Sequence, residues 1–165
     1  FETTLDLGLT LLQRTWDRGY HFDQIDTCED LGYRRGLFFS PDVYRKVIKP
    51  SHIKLCDFAR RLGIPVMLHS CGNINEIIPD LIDAGFSGLN PLESKSGMDV
   101  RELKTKYGEQ LVLQGGIDVR KMSKPDEIEE EIRSKVSVAK VGGGYIFSSD
   151  HSVPSDVSLR DYQRV

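Results

Sequence analysis

The residues best suited to chemistry are His69 and Cys71, which stand two positions apart between the apolar segment 64–68 and Gly72. If that segment is a strand, the side chains at 69 and 71 project to the same side, because strand side chains alternate. An imidazole and a thiolate on one face can bind the same borderline-soft ion, and zinc is the commonest ion that accepts this pair. The alternative is a buried histidine beside an inert thiol, because free cysteine often packs as a small hydrophobe.

Five short β-rich segments, each leading towards a helical pattern, carry this pair and other reactive side chains. Apolar periodicity and helix start signals predict helices over residues 40–62, 75–84, 99–107 and 123–142, the first of them kinked or split at Pro50. The glutamates at 127 and 129–131 are interpreted as a solvated helix face. Strict alternation of strand and helix predicts parallel strands joined by right-handed crossovers. The predicted strands are residues 22–26, 65–69, 85–90, 111–115 and 144–149.

Two α/β architectures fit this alternation, a doubly wound sheet and a barrel. A dinucleotide-binding doubly wound sheet requires a glycine-rich turn after its first strand, and residues 27–30 contain no glycine. A TIM-type barrel places reactive residues after several strands, because all the following loops converge on one face. Five consecutive strand ends show this pattern, so parallel βα repeats of an incomplete TIM-type barrel are predicted. The residues are Asp26, Glu29 and Asp30, then His69 and Cys71, then Asn90 and Glu93, then Gln114 and Asp118, then Asp150 and His151.

Composition restricts the classes of partner. The chain has 165 residues, 39% of them hydrophobic and 28% charged, which is ordinary for one soluble globular domain. A net charge of -3 leaves no basic field for a nucleic acid. There is no apolar run of membrane-spanning length and no signal peptide at the start, so we expect a cytoplasmic location and no membrane partner. Three cysteines at irregular positions do not resemble a disulfide framework.

The two ends of the chain both interrupt helical patterns. The chain begins without methionine, inside the pattern Leu5, Leu9, Leu12 and Trp16, and closes inside another pattern. We therefore expect it to be cut from something longer. Five strands without the rest of a barrel form an open parallel sheet with two exposed edges, so we also expect association into a homo-oligomer.

Six short motifs follow one another along the chain and together resemble the uroporphyrinogen decarboxylase superfamily. The resemblance covers nearly the whole chain but corresponds only to the C-terminal part of a family member. It implies the last five strands of an eight-stranded barrel, with residues 1–165 as a single partial domain and about three βα units missing upstream. The motifs are Asp30-Leu31-Gly32, Ser40-Pro41-Asp42, His69-Ser70-Cys71-Gly72, residues 85–91, residues 113–118 and residues 145–154.

The resemblance implies two chemistries. Decarboxylases of the family act on a porphyrinogen without metal and rely on an N-terminal aspartate that this chain does not contain. Methylcobamide-type methyltransferases use zinc to activate a thiol, with a His-x-Cys pair and a third ligand after the last strand. His69 and Cys71 match that pair. The third position is usually cysteine, whereas here it is His151, as in the decarboxylases, so the chain departs from both patterns.

Two imidazoles and one thiolate are a known catalytic zinc set with one position left for substrate or water. The favoured function is therefore a zinc-dependent methyltransferase acting between a corrinoid methyl carrier, supplied by a corrinoid protein, and a small thiol. One alternative is a metal-free decarboxylase-like carboxy-lyase acting on a porphyrinogen, in which His151 hydrogen-bonds a substrate carboxylate. The other alternative is a non-catalytic remnant or binding module.

The remaining polar residues receive roles in the same predicted site. Asp26 and Asp30 are acid–base candidates because carboxylates near a barrel mouth can be tuned towards neutral pH. Glu29, Asp30 or Asp150 would orient the histidines. Arg34 and Arg35 would bind an anionic group, Cys28 is a possible extra ligand, and the glycines at 115 and 116 would let a ligand approach the backbone. Substrate binding is assigned to Glu29, Asn90, Gln114, Asp118 and Asp150.

Overall fold

Five short strands form a parallel sheet in the order in which they occur along the chain, as the sequence predicts. The computed structural model describes residues 2–165. The strands are β1 (Ile25–Cys28), β4 (Val66–His69), β5 (Gly88–Asn90), β6 (Val112–Gln114) and β7 (Tyr145–Ile146). They lie side by side in this same order. Helices connect the strands, which is the arrangement of part of a TIM barrel.

The observed strands are shorter than the predicted segments, and β1 is displaced towards the C-terminus. Between β1 and β4 the chain also forms a two-stranded antiparallel hairpin, β2 (Gly32–Tyr33) and β3 (Gly36–Leu37), that the sequence does not predict. Four residues of strand are too few for a recognisable alternation. The hairpin matters for the site because it packs against the loop that follows β4.

The long helix predicted after Ser40 is split, as Pro50 requires. Ser40 caps the short helix α2 (Pro41–Val43), a π-helical turn follows over Tyr44–Ile48, and α3 begins at Lys49 with Pro50 in its first turn. Proline lacks the backbone N–H that an uninterrupted helix would need at this position. The other helices are α1 (Glu2–Asp17), α3 (Lys49–Leu62), α4 (Ile78–Ala84), α5 (Val100–Tyr107), α6 (Pro125–Ala139) and α7 (Leu159–Tyr162).

One core fills the space between the sheet and its helices. Alternate residues of the strands, such as Leu68, Leu89 and Leu113, are almost fully buried there. Helix α1 packs on this core through Leu5, Leu9 and Leu12, the residues of its predicted apolar stripe. None of the helices within residues 2–165 combines the length and the apolar character that crossing a membrane requires.

The glutamates of α6 do not all face solvent, which corrects the sequence interpretation. Glu127, Glu129 and Glu130 are exposed, but Glu131 is 5% exposed and pairs with Lys135, which is equally buried. The N-terminal turns of a helix favour acidic residues electrostatically, and this explains why the exposed residues Glu127, Glu129 and Glu130 occur there. The face of α6 that carries position 131 turns inward, so an acid there needs a buried partner.

Candidate metal centre

Asp30, His69 and Cys71 come together at the carboxyl ends of β1 and β4. In residues 2–165 they form the one group of three or more histidine, cysteine or acidic side chains whose ligand atoms all lie within 4.8 Å of one another. The His-x-Cys spacing predicted two of these donors. The third, Asp30, was predicted as an acid–base group, and the structure places it instead among possible ligands.

The alternation of β1 explains why Asp30 joins the cluster. Ile25 packs into the core, whereas Asp26 and Cys28 are exposed on the opposite face of the sheet. Asp30 continues the second series, because it lies two residues beyond Cys28 and strand side chains alternate. In the parallel pairing Cys28 lies opposite His69, so the chain after β1 reaches the loop that follows β4.

The imidazole of His69 directs Nε2 towards Cys71, and this is the nitrogen that can bind a ligand. The amide oxygen of Asn90 lies 2.7 Å from Nδ1 and accepts its N–H, which leaves the lone pair on Nε2. Nε2 lies 3.6 Å from the sulfur of Cys71. Tetrahedral zinc with ordinary bond lengths holds a nitrogen and a sulfur ligand about 3.5 Å apart. The His69–Cys71 geometry therefore fits a shared zinc ion.

Hydrogen bonds hold residues 70–72 in place, and this segment after β4 is called the ligand loop. Asp30 Oδ1 accepts from the backbone N–H of Cys71 at 2.9 Å, and the hydroxyl of Ser70 accepts from the N–H of Leu31 at 3.0 Å. The buried carboxylate of Glu93 accepts from the N–H of Gly72 at 2.8 Å. These bonds give the donors fixed positions before any ion binds, which is what a precise metal site requires.

Gly72 is the point at which the ligand loop meets the hairpin. Its φ is 82°, and a Cβ atom there would lie 2.3 Å from the backbone carbon of Gly32. Glycine is therefore required both for the backbone conformation and for the close approach. This explains why the His-x-Cys pair is followed by glycine and why the Asp30-Leu31-Gly32 motif accompanies it.

The thiol of Cys71 stays protonated at neutral pH unless a cation is nearby. Burial raises its pKa to about 11, and the negative charges of Asp30 and Glu93 add to that rise. A divalent ion reverses this effect, because a coordinated thiol loses its proton. A half-buried thiol, an imidazole and a carboxylate match the ligand types that zinc accepts.

His151 does not join this cluster. It is exposed, and its Nδ1 accepts the backbone N–H of the adjacent Ser152 at 2.9 Å. In the described residues its ring nitrogens lie outside the 4.8 Å group that contains His69 and Cys71. Among the described residues Asp30, and not His151, is the third member of the group, because β1 is the direct neighbour of β4 in the sheet.

Asp150 and Asp118 were predicted to bind substrate. In the structure the carboxylates of both form hydrogen bonds within the protein. Asp150 is 2% exposed, and its two oxygens accept from the backbone N–H groups of Ser94 at 2.8 Å and Val119 at 3.1 Å. Asp118 accepts from the N–H of Arg120 and pairs with its guanidinium. These carboxylates join the loops after the strands, and so they position the site rather than face it.

Glu29 points to the other side of the sheet from Asp30. Its carboxylate lies 2.9 Å from Nε2 of the buried His52, whose Nδ1 lies 2.9 Å from the hydroxyl of Tyr44. This differs from the predicted contact with substrate, and alternation along β1 is again the reason. This chain of hydrogen bonds is not visible in the sequence, because Glu29 and His52 lie 23 residues apart.

The remaining predicted residues lie outside the group of three and have different surroundings. Asp26 is exposed and accepts two hydrogen bonds from Gln24. Gln114 is half-buried at the end of β6, opposite Ile146 of β7. Arg34 and Arg35 are exposed between the two strands of the hairpin.

Gly115 was predicted to give a ligand access to the backbone, but a neighbouring loop takes that space. A Cβ atom at Gly115 would lie 2.1 Å from the carbonyl oxygen of Pro91. The same oxygen accepts a hydrogen bond from the N–H of Gly116 at 2.9 Å. The two glycines therefore allow the loops after β5 and β6 to pack together.

Replacing Asn90 with alanine is expected to weaken zinc binding by about 10- to 100-fold, because the outer hydrogen bond that orients a ligating histidine is lost. Competition with a chelator measures the affinity. Gln13→Ala is the control, since this side-chain amide donates to Asp17 within α1. Equal affinity in the Asn90 variant and the parent protein would show that His69 needs no orienting partner.

Comparison with known proteins gives the cluster a family context. The chain is 34% identical over 104 residues to the methylcobamide:CoM methyltransferase MtaA of Methanosarcina barkeri. It is 31% identical over 104 residues to the protein of the same name from Methanosarcina barkeri strain Fusaro / DSM 804. Each match covers 63% of this chain and 29% of the relative, so the chain spans less than a third of these proteins.

A broader comparison covers almost the whole chain. Residues 24–165 match the family model described as uroporphyrinogen decarboxylase (URO-D). The match begins one residue before β1 and includes the hairpin, the ligand loop and every strand of the parallel sheet. The chain belongs to the uroporphyrinogen decarboxylase family.

Proposed function

We propose that this chain is part of a zinc-dependent methyltransferase that moves a methyl group from a corrinoid carrier to a thiol. The observation that carries the proposal is the cluster of Asp30, His69 and Cys71, in which Nε2 and Sγ are 3.6 Å apart. Similarity to two proteins named methylcobamide:CoM methyltransferase supports the same reaction class.

In this proposal each donor binds the ion through a named atom. His69 uses Nε2, since Nδ1 is committed to Asn90, and Cys71 uses its sulfur. Asp30 uses Oδ2, because Oδ1 accepts the N–H of Cys71. Bound zinc would lower the pKa of a substrate thiol and so supply a nucleophilic thiolate near neutral pH. Three protein donors leave one position for that thiol.

The residues around the donors hold them in place. Ser70 and Glu93 fix the loop that carries Cys71, and both are buried. Asp26 is exposed on the same face of β1 as Cys28, two residues nearer the start of the strand. The methyl donor and the thiol would approach from the face of β1 that carries Asp26 and Cys28. The corrinoid protein is the proposed partner.

The test combines metal content with methyl transfer. We expect the purified protein to hold close to one equivalent of zinc, and to lose it to a strong chelator. The zinc-loaded protein is then incubated with methylcobalamin and CoM, and methylated CoM is measured by mass spectrometry. We expect product only with zinc present. Bound zinc without product would reject methyl transfer while leaving the metal site intact.

The second candidate is a metal-free carboxy-lyase acting on a porphyrinogen. The observation that favours it is the exposed position of His151, outside the cluster and open to a substrate carboxylate. Absence of zinc from protein purified under reducing conditions with added zinc would favour this candidate. Release of carbon dioxide from a porphyrinogen, lost in His151→Ala, would then be the expected result.

A further inference from the structure

Cys28 lies beside the proposed metal centre without a role in it. In the parallel pairing of β1 with β4, Cys28 is the residue opposite His69. Neighbouring strands are about 4.8 Å apart, and paired residues of parallel strands project to the same face. The thiol of Cys28 therefore starts from a backbone position next to that of His69 and points to the side on which His69 meets Cys71.

The pairing of the strands is maintained up to this point. The N–H of Glu29, the next residue, donates to the carbonyl oxygen of His69 at 2.9 Å. On its other side Glu29 is bound to the buried His52. The residue that follows Cys28 is thus fixed by both its backbone and its side chain, which maintains the position of Cys28 opposite His69.

Cys28 is also free and exposed, and it forms no disulfide. Asp30, two residues further along the same face, already lies within 4.8 Å of His69 and Cys71. The sulfur of Cys28 lies outside that 4.8 Å group, but Cys28 is on the strand beside His69, whereas Cys56 is buried on α3.

We infer that Cys28 is a fourth protein donor, which binds the ion together with Asp30, His69 and Cys71 when no substrate thiol is present. This inference rests on the proposed function, because it needs an ion held by the other three donors. Four protein donors close a zinc site, and exchange of one of them reopens it. When a substrate thiol takes the position, its proton passes to the released Cys28 thiolate, so charge and protons balance.

The absorption of bound cobalt(II) reports the number of sulfur donors, because each thiolate bound to the ion adds sulfur-to-metal absorption. The protein is loaded with one equivalent of Co(II) under reducing conditions. We expect Cys28→Ser to lose about half of this absorption, as one of two sulfur donors is removed. The double variant Cys28→Ser, Cys71→Ser should lose all of it. Cys56→Ala is the matched control and should keep the full absorption.

A second measurement does not depend on the absorption of cobalt. Cys28 is exposed, so iodoacetamide should modify it in metal-free protein, and mass spectrometry of the peptide measures the extent. Bound zinc should slow this modification at least several-fold. Circular dichroism of the Cys28→Ser variant checks that this exposed substitution leaves the fold unchanged.

The outcomes separate the inference from the function on which it rests. Full sulfur absorption in Cys28→Ser, with one Co(II) still bound, overturns the role of Cys28 and leaves the other three donors in place. Failure of the parent protein to bind Co(II) or zinc overturns both. Half absorption together with zinc protection of Cys28 supports the four-donor site.

Discussion

Cys71→Ser is expected to reduce zinc affinity by more than about 100-fold, since a direct ligand contributes more than the outer hydrogen bonds that orient it. The serine hydroxyl keeps nearly the same shape but is not ionised at neutral pH, so it does not replace a thiolate. The backbone N–H of residue 71 can still donate to Asp30. The loop should therefore keep its conformation while losing its sulfur donor.

The matched control for this substitution is Cys56→Ala. Cys56 is buried in α3, where burial raises its pKa to about 12, so it stays a neutral thiol within the core. Its loss should lower stability and leave zinc affinity unchanged. Chelator competition gives both affinities, and thermal unfolding reports folding separately. Zinc affinity equal to that of the parent protein in Cys71→Ser would remove Cys71 from the site.

The architecture could be predicted because it depends on short-range patterns of the sequence. Apolar periodicity, caps such as Ser40 and the break at Pro50 are local signals, and they predicted the strand–helix alternation that the structure shows. Strand lengths were less predictable, since three or four residues carry little periodicity. The hairpin was missed because its strands, two residues each, have none.

The metal centre was predictable only in part. His69 and Cys71 are close in sequence, so their common face follows from alternation alone. Asp30 joins them through the register of two strands separated by a hairpin and two helices, and that register is not visible in the sequence. Asn90 was predicted as a residue of the site, but its bond to His69 depends on the pairing of β4 with β5.

Buried polar groups were the least predictable feature. The sequence around Glu131 suggests a solvated helix, and nothing local distinguishes position 131 from the exposed glutamates before it. In the structure the carboxylate of Glu131 binds Lys135 at 2.5 Å and Lys121 at 2.6 Å. Lys135 also donates to the carbonyl oxygen of Gly116 at 2.7 Å, and so joins α6 to the loop after β6.

Lys135→Met is therefore expected to lower the free energy of unfolding by about 3 kcal/mol, because one partner of a buried ion pair is removed. The carboxylate of Glu131 keeps Lys121, whose side chain is 35% exposed, and the carbonyl of Gly116 keeps the Ser94 hydroxyl but loses one of its two donors. The matched control is Arg133→Ala on the same helix. It breaks an exposed pair with Glu129 and should change stability by less than about 1 kcal/mol.

The pH dependence of the free energy of unfolding tests the ion pair between Glu131 and Lys135. Burial opposes ionisation of Glu131, but hydrogen bonds from Lys121 and Lys135 outweigh it and hold its pKa below the ordinary value of 4.5. A carboxyl with a lowered pKa contributes stability above its unfolded-state pKa and loses it as the pH falls through the folded-state pKa. Lys135→Met removes part of that contribution. Urea unfolding should thus show the largest difference from the parent protein near neutral pH and a smaller one below about pH 4. A difference that is constant from pH 7 to pH 3 would mean that the lysine stabilises α6 through packing of its aliphatic chain, and the charge of Glu131 would play no part.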